Sequence, residues 1–194
     1  MKYHSLETHV LTNETALDRP RVDNLEPVGL DAPAIKVVTD LSKVAAMTIN
    51  PCASIDNASE RMISAGVRLL FVTDQYYNVM GLITARDITG ERAVMYIQEH
   101  GGKREDIMVR DIMTPRHRIE VLDYEDVLQA RVGDIVETLR RLGRQHALVM
   151  QRGEGEELDR IRGIISTSQV SQQTGEHIEV VGLPTTIADL AAQR

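Results

Sequence analysis

The stretch ASIDNASERMISAGVRLLFV at residues 53–72 aligns without gaps with ARVGDIVETLRRLGRQHALV at residues 130–149. The offset is 77 throughout, from Ala53/Ala130 to Val72/Val149. Each copy then reaches a second shared landmark, GLITARD at 81–87 and GIISTSQ at 163–169. Here the offset is 82, so the second copy carries five extra residues between its landmarks. Identity is low and the agreement lies in pattern, which is what duplicated units retain when packing is the constraint.

Each unit has a readable physics. Asn57-x-x-Glu60 and Asp134-x-x-Glu137 stand just before an apolar stripe, like an N-cap with a reaching acid. The stripe is Ala58, Met62, Ala65 in one copy and Ile135, Leu139, Leu142 in the other, a spacing that predicts an amphipathic helix. Gly66 and Gly143 end the two helices where a left-handed residue is wanted. Apolar runs Leu69–Val72 and Val79–Thr84, and Ala147–Met150 and Ile161–Ser166, read as buried hairpins. The helices that follow are expected to begin near Asp87 and Gln169. Between the copies, residues 88–112 read as a helix, a Gly101-Gly102 break and a second short helix, with Pro115 leading into an extended segment.

Composition sets outer bounds. A chain of 194 residues is long enough for a core that hides roughly 70% of the unfolded surface, so no metal or disulfide staple is needed. Aromatics are 3% of residues, with no Trp and one Phe, which argues against stacking platforms for single-stranded nucleic acid. The net charge of −7 opposes a phosphate-backbone footprint. Cys52 is the only cysteine, so no disulfide framework exists. No apolar run approaches the ~18 residues of a membrane span. The N-terminal stretch lacks the apolar core of a signal peptide, so the cytoplasm is the expected compartment.

Two β-α-β-β units, each closing on G-h-h-[ST]-x-x-[DN] or a near variant, with Met113-Thr114-Pro115 leading into the second, resemble a pair of CBS domains (cystathionine β-synthase domains, a Bateman module). The resemblance covers roughly residues 36–172. It implies an α+β fold of tandem β-α-β-β-α repeats forming a pseudo-twofold disc. The expected division is an extension at 1–34, repeat 1 at 35–100, repeat 2 at 101–175 and a tail at 176–194. It also implies a stand-alone regulatory protein, a homodimer, whose clefts take AMP, ADP, ATP or S-adenosylmethionine as a regulatory ligand, with no required cofactor.

Carried over residue by residue, the resemblance assigns Gly81, Ile83, Thr84, Arg86 and Asp87 to one cleft. The chemistry suits this independently: Thr84 offers a hydroxyl to phosphate, and the Asp87 carboxylate can accept ribose hydroxyls. Repeat 2 would complete this cleft with Ala130 to Val132 and Gln145, His146 and Ala147, His146 being a phosphate candidate. A second, weaker cleft would use Thr48, Asn50, Pro51, Arg68, Leu69, Ser166 and Gln169. Gln169 departs from the family's acid, being neutral and longer, so asymmetric occupancy is expected. The proline common in the family's second strand is replaced by Phe71 and Leu148.

No Ser/His/Asp or Cys/His arrangement is identifiable, and Gly101-Gly102-Lys103-Arg104 lacks the residues of a phosphate loop. His100, Glu99, Glu105 and Asp106 read as a solvated helix end rather than a metal site. The expectation is a non-catalytic adenosyl-ligand sensor acting on a regulated protein. The alternative is a CBS-pair scaffold for dimerisation or docking that binds no nucleotide.

Overall fold

The computed structural model describes residues 26–155 and 157–178. Most of the expected extension at 1–34 and of the tail at 176–194 lies outside the described residues. The fold is α+β, with two four-stranded sheets. Strands β1 (Thr39–Asp40) and β2 (Thr48–Ile49) precede helix α1 (Ile55–Ala65) and the hairpin β3 (Leu69–Thr73) and β4 (Val79–Thr84). Then come α2 (Ala85–Thr89), α3 (Glu91–His100), α4 (Val109–Ile112) and β5 (Thr114–Pro115). The second half holds β6 (Val121–Asp123), α5 (Tyr124–Gln129), α6 (Val132–Leu142), β7 (His146–Gln151), β8 (Arg160–Ser166) and α7 (Thr167–Thr174).

The duplicated helices start earlier than their sequence caps suggest. Ser54 caps α1 by accepting the Asn57 N–H at 3.1 Å, which makes Asn57 an N3 residue. Asp134 is likewise N3 of α6, its carboxylate accepting the Arg131 N–H at 2.8 Å. The reason is apolar: Ile55 and Val132, the first helical residues, are both fully buried. Gly66 and Gly143 end the helices as expected, at φ 64 and φ 62. Ala65 departs from its expected stripe and is exposed.

The sheets do not follow the linear order of the chain. One reads β2-β3-β4-β5 and the other β1-β8-β7-β6. Thus β5, which leads into the second repeat, pairs with β4 of the first, while β1, which precedes the first repeat, pairs with β8 of the second. Packing agrees: Ile107, Val109 and Ile112 lie in the core of repeat 1, and Ala34 and Val37 in that of repeat 2. The two halves exchange equivalent elements, as a twofold relation requires. The exchange also explains the shared glycines. A Cβ on Gly81 would sit 2.5 Å from the Thr114 carbonyl oxygen, and one on Gly163 would run into the Val38 side chain.

Repeat 2 hides an insertion that the gapless alignment passes over. Ile49 pairs with Val72 and Leu122 with Val149, so the first strands are offset by 73, while the helix and second strand that follow are offset by 77. The four extra residues form part of α5, capped where Asp123 Oδ1 accepts the Glu125 N–H at 3.1 Å. The first strand of repeat 2 is therefore β6, and residues 130–132 are a helix start.

A third apolar cluster joins the halves. Leu69, Phe71 and Leu148 are buried there, with Leu82, Val121 and Ile164 packed against them. Each such side chain contributes on the order of 1.5–3 kcal/mol on burial. Alternate residues on the same strands, Leu70, Val72 and Ile83 or Ala147, Val149 and Ile165, face their own helices.

Candidate functional site

The GLITARD loop is a strand-to-helix turn locked by a capping box. Thr84, extended at φ −115 and ψ 161, caps α2, and its Oγ1 accepts the Asp87 N–H at 3.3 Å. Asp87 Oδ2 in return accepts the Thr84 N–H and the Thr84 O–H, both at 2.8 Å. The helix therefore starts at Ala85, with Thr84 rather than Asp87 as its cap. The other carboxylate oxygen, Oδ1, pairs with Arg92 Nη1 at 3.0 Å. That same nitrogen donates to Thr114 Oγ1 at 2.9 Å and to the Ile112 carbonyl at 3.1 Å. Asp87 is thus tied, through Arg92, to the strand arriving from the other half. The Asp87 side chain keeps 13% exposure.

The GIISTSQ loop is built on the same plan with different chemistry. Ser166 caps α7 by accepting the Gln169 N–H at 3.2 Å, so this helix too starts two residues before the expected position. Gln169 forms no capping box; its Oε1 accepts the Thr39 hydroxyl at 2.8 Å. Its Nε2 reaches Gln173 Oε1 at 3.5 Å, and Gln173 in turn donates to the Lys36 carbonyl at 3.3 Å. Thr39 pairs with Ile164 as Thr114 pairs with Leu82, so the two threonines are equivalent.

The remaining sequence-assigned residues divide by face. Thr84 is paired with Leu69, and His146 with Ser166, on the sides of the sheets that meet. Ile83, Val132 and Ala147 turn into the cores of their own repeats, leaving only backbone to face a ligand. Gly81 is buried, and its close neighbour is the Thr114 backbone. Arg86 is exposed. The Gln145 carbonyl accepts the Thr167 N–H at 2.9 Å, and the Arg68 carbonyl the Ala85 N–H at 3.0 Å, so each fastens the helix start of its own repeat. Asn50 turns its Oδ1 onto the Cys52 N–H at 2.8 Å, and the Pro51 carbonyl accepts the Arg110 N–H at 3.0 Å. Thr48 is half-buried and Leu69 buried at the junction.

His146 differs from its expected role. Burial first, and the nearby Arg68 charge second, hold its pKa down at about 4. At neutral pH it is an uncharged imidazole, not a cation awaiting phosphate. The strands β3 and β7 meet across the boundary, where Leu69 and Phe71 pack in one cluster with Leu148. At the opposite, turn-bearing end, a cavity of about 1250 Å³ opens between the halves, lined by Phe71, Val79, Arg116, Arg160 and Ile161 among others. None of Thr84, Asp87 or Gln169 lines it.

Comparison with known proteins gives this frame its family. Residues 38–93 match the family model of the CBS domain. An uncharacterized conserved protein from Pyrococcus horikoshii superposes with a TM-score of 0.56 at 24% identity, over 78% of this chain and 98% of its own. Residues 38–93 are a CBS domain. The CBS-domain containing protein ATU1752 from Agrobacterium tumefaciens gives a TM-score of 0.54 at 21% identity, covering 75% of this chain and 95% of its own. CBSX2 from Arabidopsis thaliana, solved in complex with AMP, gives 0.50 at 17%, covering 84% and 99%. No curated protein matches the chain. The tandem CBS fold accounts for both repeats.

The partner of Asp87 that the sequence reading missed is Arg92. Gly90 interrupts the helix between α2 and α3, so Arg92 is five residues from Asp87 and outside the usual i, i+4 search for ion pairs. The one available signal was a cation just past a glycine break in an otherwise helical run. Among the described residues no group of three or more His, Cys, Asp or Glu is placed to hold a metal, and no helix is long and apolar enough to cross a membrane.

Proposed function

We propose that the chain is a non-catalytic regulatory module whose Asp87 loop binds an adenosyl ligand, AMP, ADP, ATP or S-adenosylmethionine, and thereby changes affinity for a regulated protein. The observation that carries the reading is the Thr84–Asp87 capping box, which presents a fixed hydroxyl and a half-buried carboxylate beside the junction of the repeats. The AMP complex of CBSX2, a protein of the same fold, supports the ligand class. Ligand occupancy acts by favouring one of two conformations. The Gln169 loop is the weaker of the two, since it offers an amide already engaged by Thr39. The exposed Val94 and Met95 on α3 support a homodimer, which we assign to the cytoplasm.

A second reading, a scaffold that binds no nucleotide, is favoured by one feature: both loops already bond their polar ends within the chain. Thermal shift separates the two. A ligand at 100 times its Kd stabilises the native state by about 2.7 kcal/mol, which raises Tm by several degrees. The sensor predicts such a rise with one of AMP, ADP, ATP or S-adenosylmethionine, and its loss in Asp87→Asn. No shift with any of them, in ligand-free protein, leaves the scaffold.

A further inference from the structure

Arg92 is anchored by one nitrogen only. Nη1 meets Asp87, Thr114 and Ile112, whereas no hydrogen bond or ion pair among the described residues uses Nε or Nη2. A guanidinium carries five N–H donors, two of them on Nη1, so three remain in a fixed planar fork. The side chain is 50% exposed, which leaves that fork open to solvent.

The Asp87 carboxylate is the complementary half. Of its roughly four acceptor positions, two take Thr84 and one takes Arg92. The ion pair is neutral overall, so the carboxylate beside it does not repel an anionic group carried by the same ligand. The other cations are poorly suited to this task. Arg86 has no side-chain hydrogen bond or ion pair among the described residues to fix its guanidinium, and His146 is uncharged at neutral pH. The second loop has no counterpart: at the 82-residue offset stands Thr174, whose hydroxyl donates to the Val170 carbonyl at 2.8 Å.

We infer that Arg92 is the specificity-determining residue of the Asp87 site, selecting a phosphate-bearing ligand over an uncharged nucleoside through its free Nε and Nη2 fork. The inference rests on the nucleotide-binding reading above. A planar fork held from behind matches two phosphate oxygens, a geometry that a lysine ammonium does not reproduce.

Calorimetric titration with AMP and with adenosine, on the wild type, Arg92→Met and Arg92→Lys, tests this. The wild type should bind AMP at least ~10-fold tighter than adenosine, as expected for a charge-assisted contact. In Arg92→Met the two affinities should converge to within roughly threefold, with Arg92→Lys in between. A purely structural Arg92 would weaken both ligands equally, and an unchanged ratio overturns the inference while leaving nucleotide binding intact. Wild-type protein that binds neither ligand overturns both. Should Arg92→Met fail to fold, the ratio in Arg92→Lys decides.

Discussion

The two strand-to-helix loops occupy equivalent places, yet one ends in a carboxylate and the other in an amide. In repeat 1, Thr84 and Asp87 close a reciprocal cap, and Arg92 bridges the acid to Thr114. In repeat 2, Ser166 caps alone, and Gln169 reaches Thr39 with no cation between them. Architecture is therefore duplicated while chemistry is not. The scaffold demands a small capping hydroxyl, a glycine where the exchanged strand crosses, and apolar residues at the junction. It does not dictate the residue at the tip, which is where function can diverge.

The largest effects are expected where the halves share a core. Phe71→Ala and Leu148→Ala remove equivalent side chains from the junction, and each should cost about 3–5 kcal/mol in urea unfolding. A loss under 1 kcal/mol for either would show that the junction is not a common core. Next comes the crossing strand. Gly81→Ala drives a methyl against the Thr114 backbone, whereas Gly163→Ala meets first a Val38 side chain that can turn. Gly81→Ala should cost up to about 3 kcal/mol, and more than Gly163→Ala; the reverse order would break the pairing between them.

A smaller effect should sharpen the comparison through pH. His146 belongs to repeat 2, and its equivalent in repeat 1 is Leu69. Its folded pKa of about 4 lies below the 6.5 of an ordinary imidazole. Between those values the unfolded chain holds a proton that the folded chain does not, so stability falls as pH drops through that window. The expected loss is on the order of 3 kcal/mol, full stability being present above the upper value. His146→Leu, the repeat 1 choice, should remove this pH dependence, so the stability difference between wild type and variant should change across the same window. A difference that does not vary with pH would contradict the burial assigned to this ring.

The fold was legible because its signals were local and repeated. The Gly66 and Gly143 stops and the β4 strand stand where the sequence places them. Helix starts were misread by two or three residues, because side-chain caps at Asn57 and Asp87 looked more decisive than buried Ile55 or the Thr84 hydroxyl. Strand exchange was invisible, since β1 and β5 are two residues each and show no periodicity. The α5 insertion also escaped, because alignment began at Ala53 and Ala130, beyond it. Among the site residues, Thr84 and Asp87 follow from motif alone. Arg92 becomes visible only when Gly90 has turned the chain and brought three acceptors onto one nitrogen.

The most direct test of the unequal loops is calorimetric stoichiometry with AMP. The account predicts one ligand per chain, bound in Gln169→Ala as in the wild type and weakened roughly 10- to 100-fold in Asp87→Asn. Two equivalent ligands per chain, or binding that survives Asp87→Asn unchanged, would contradict it.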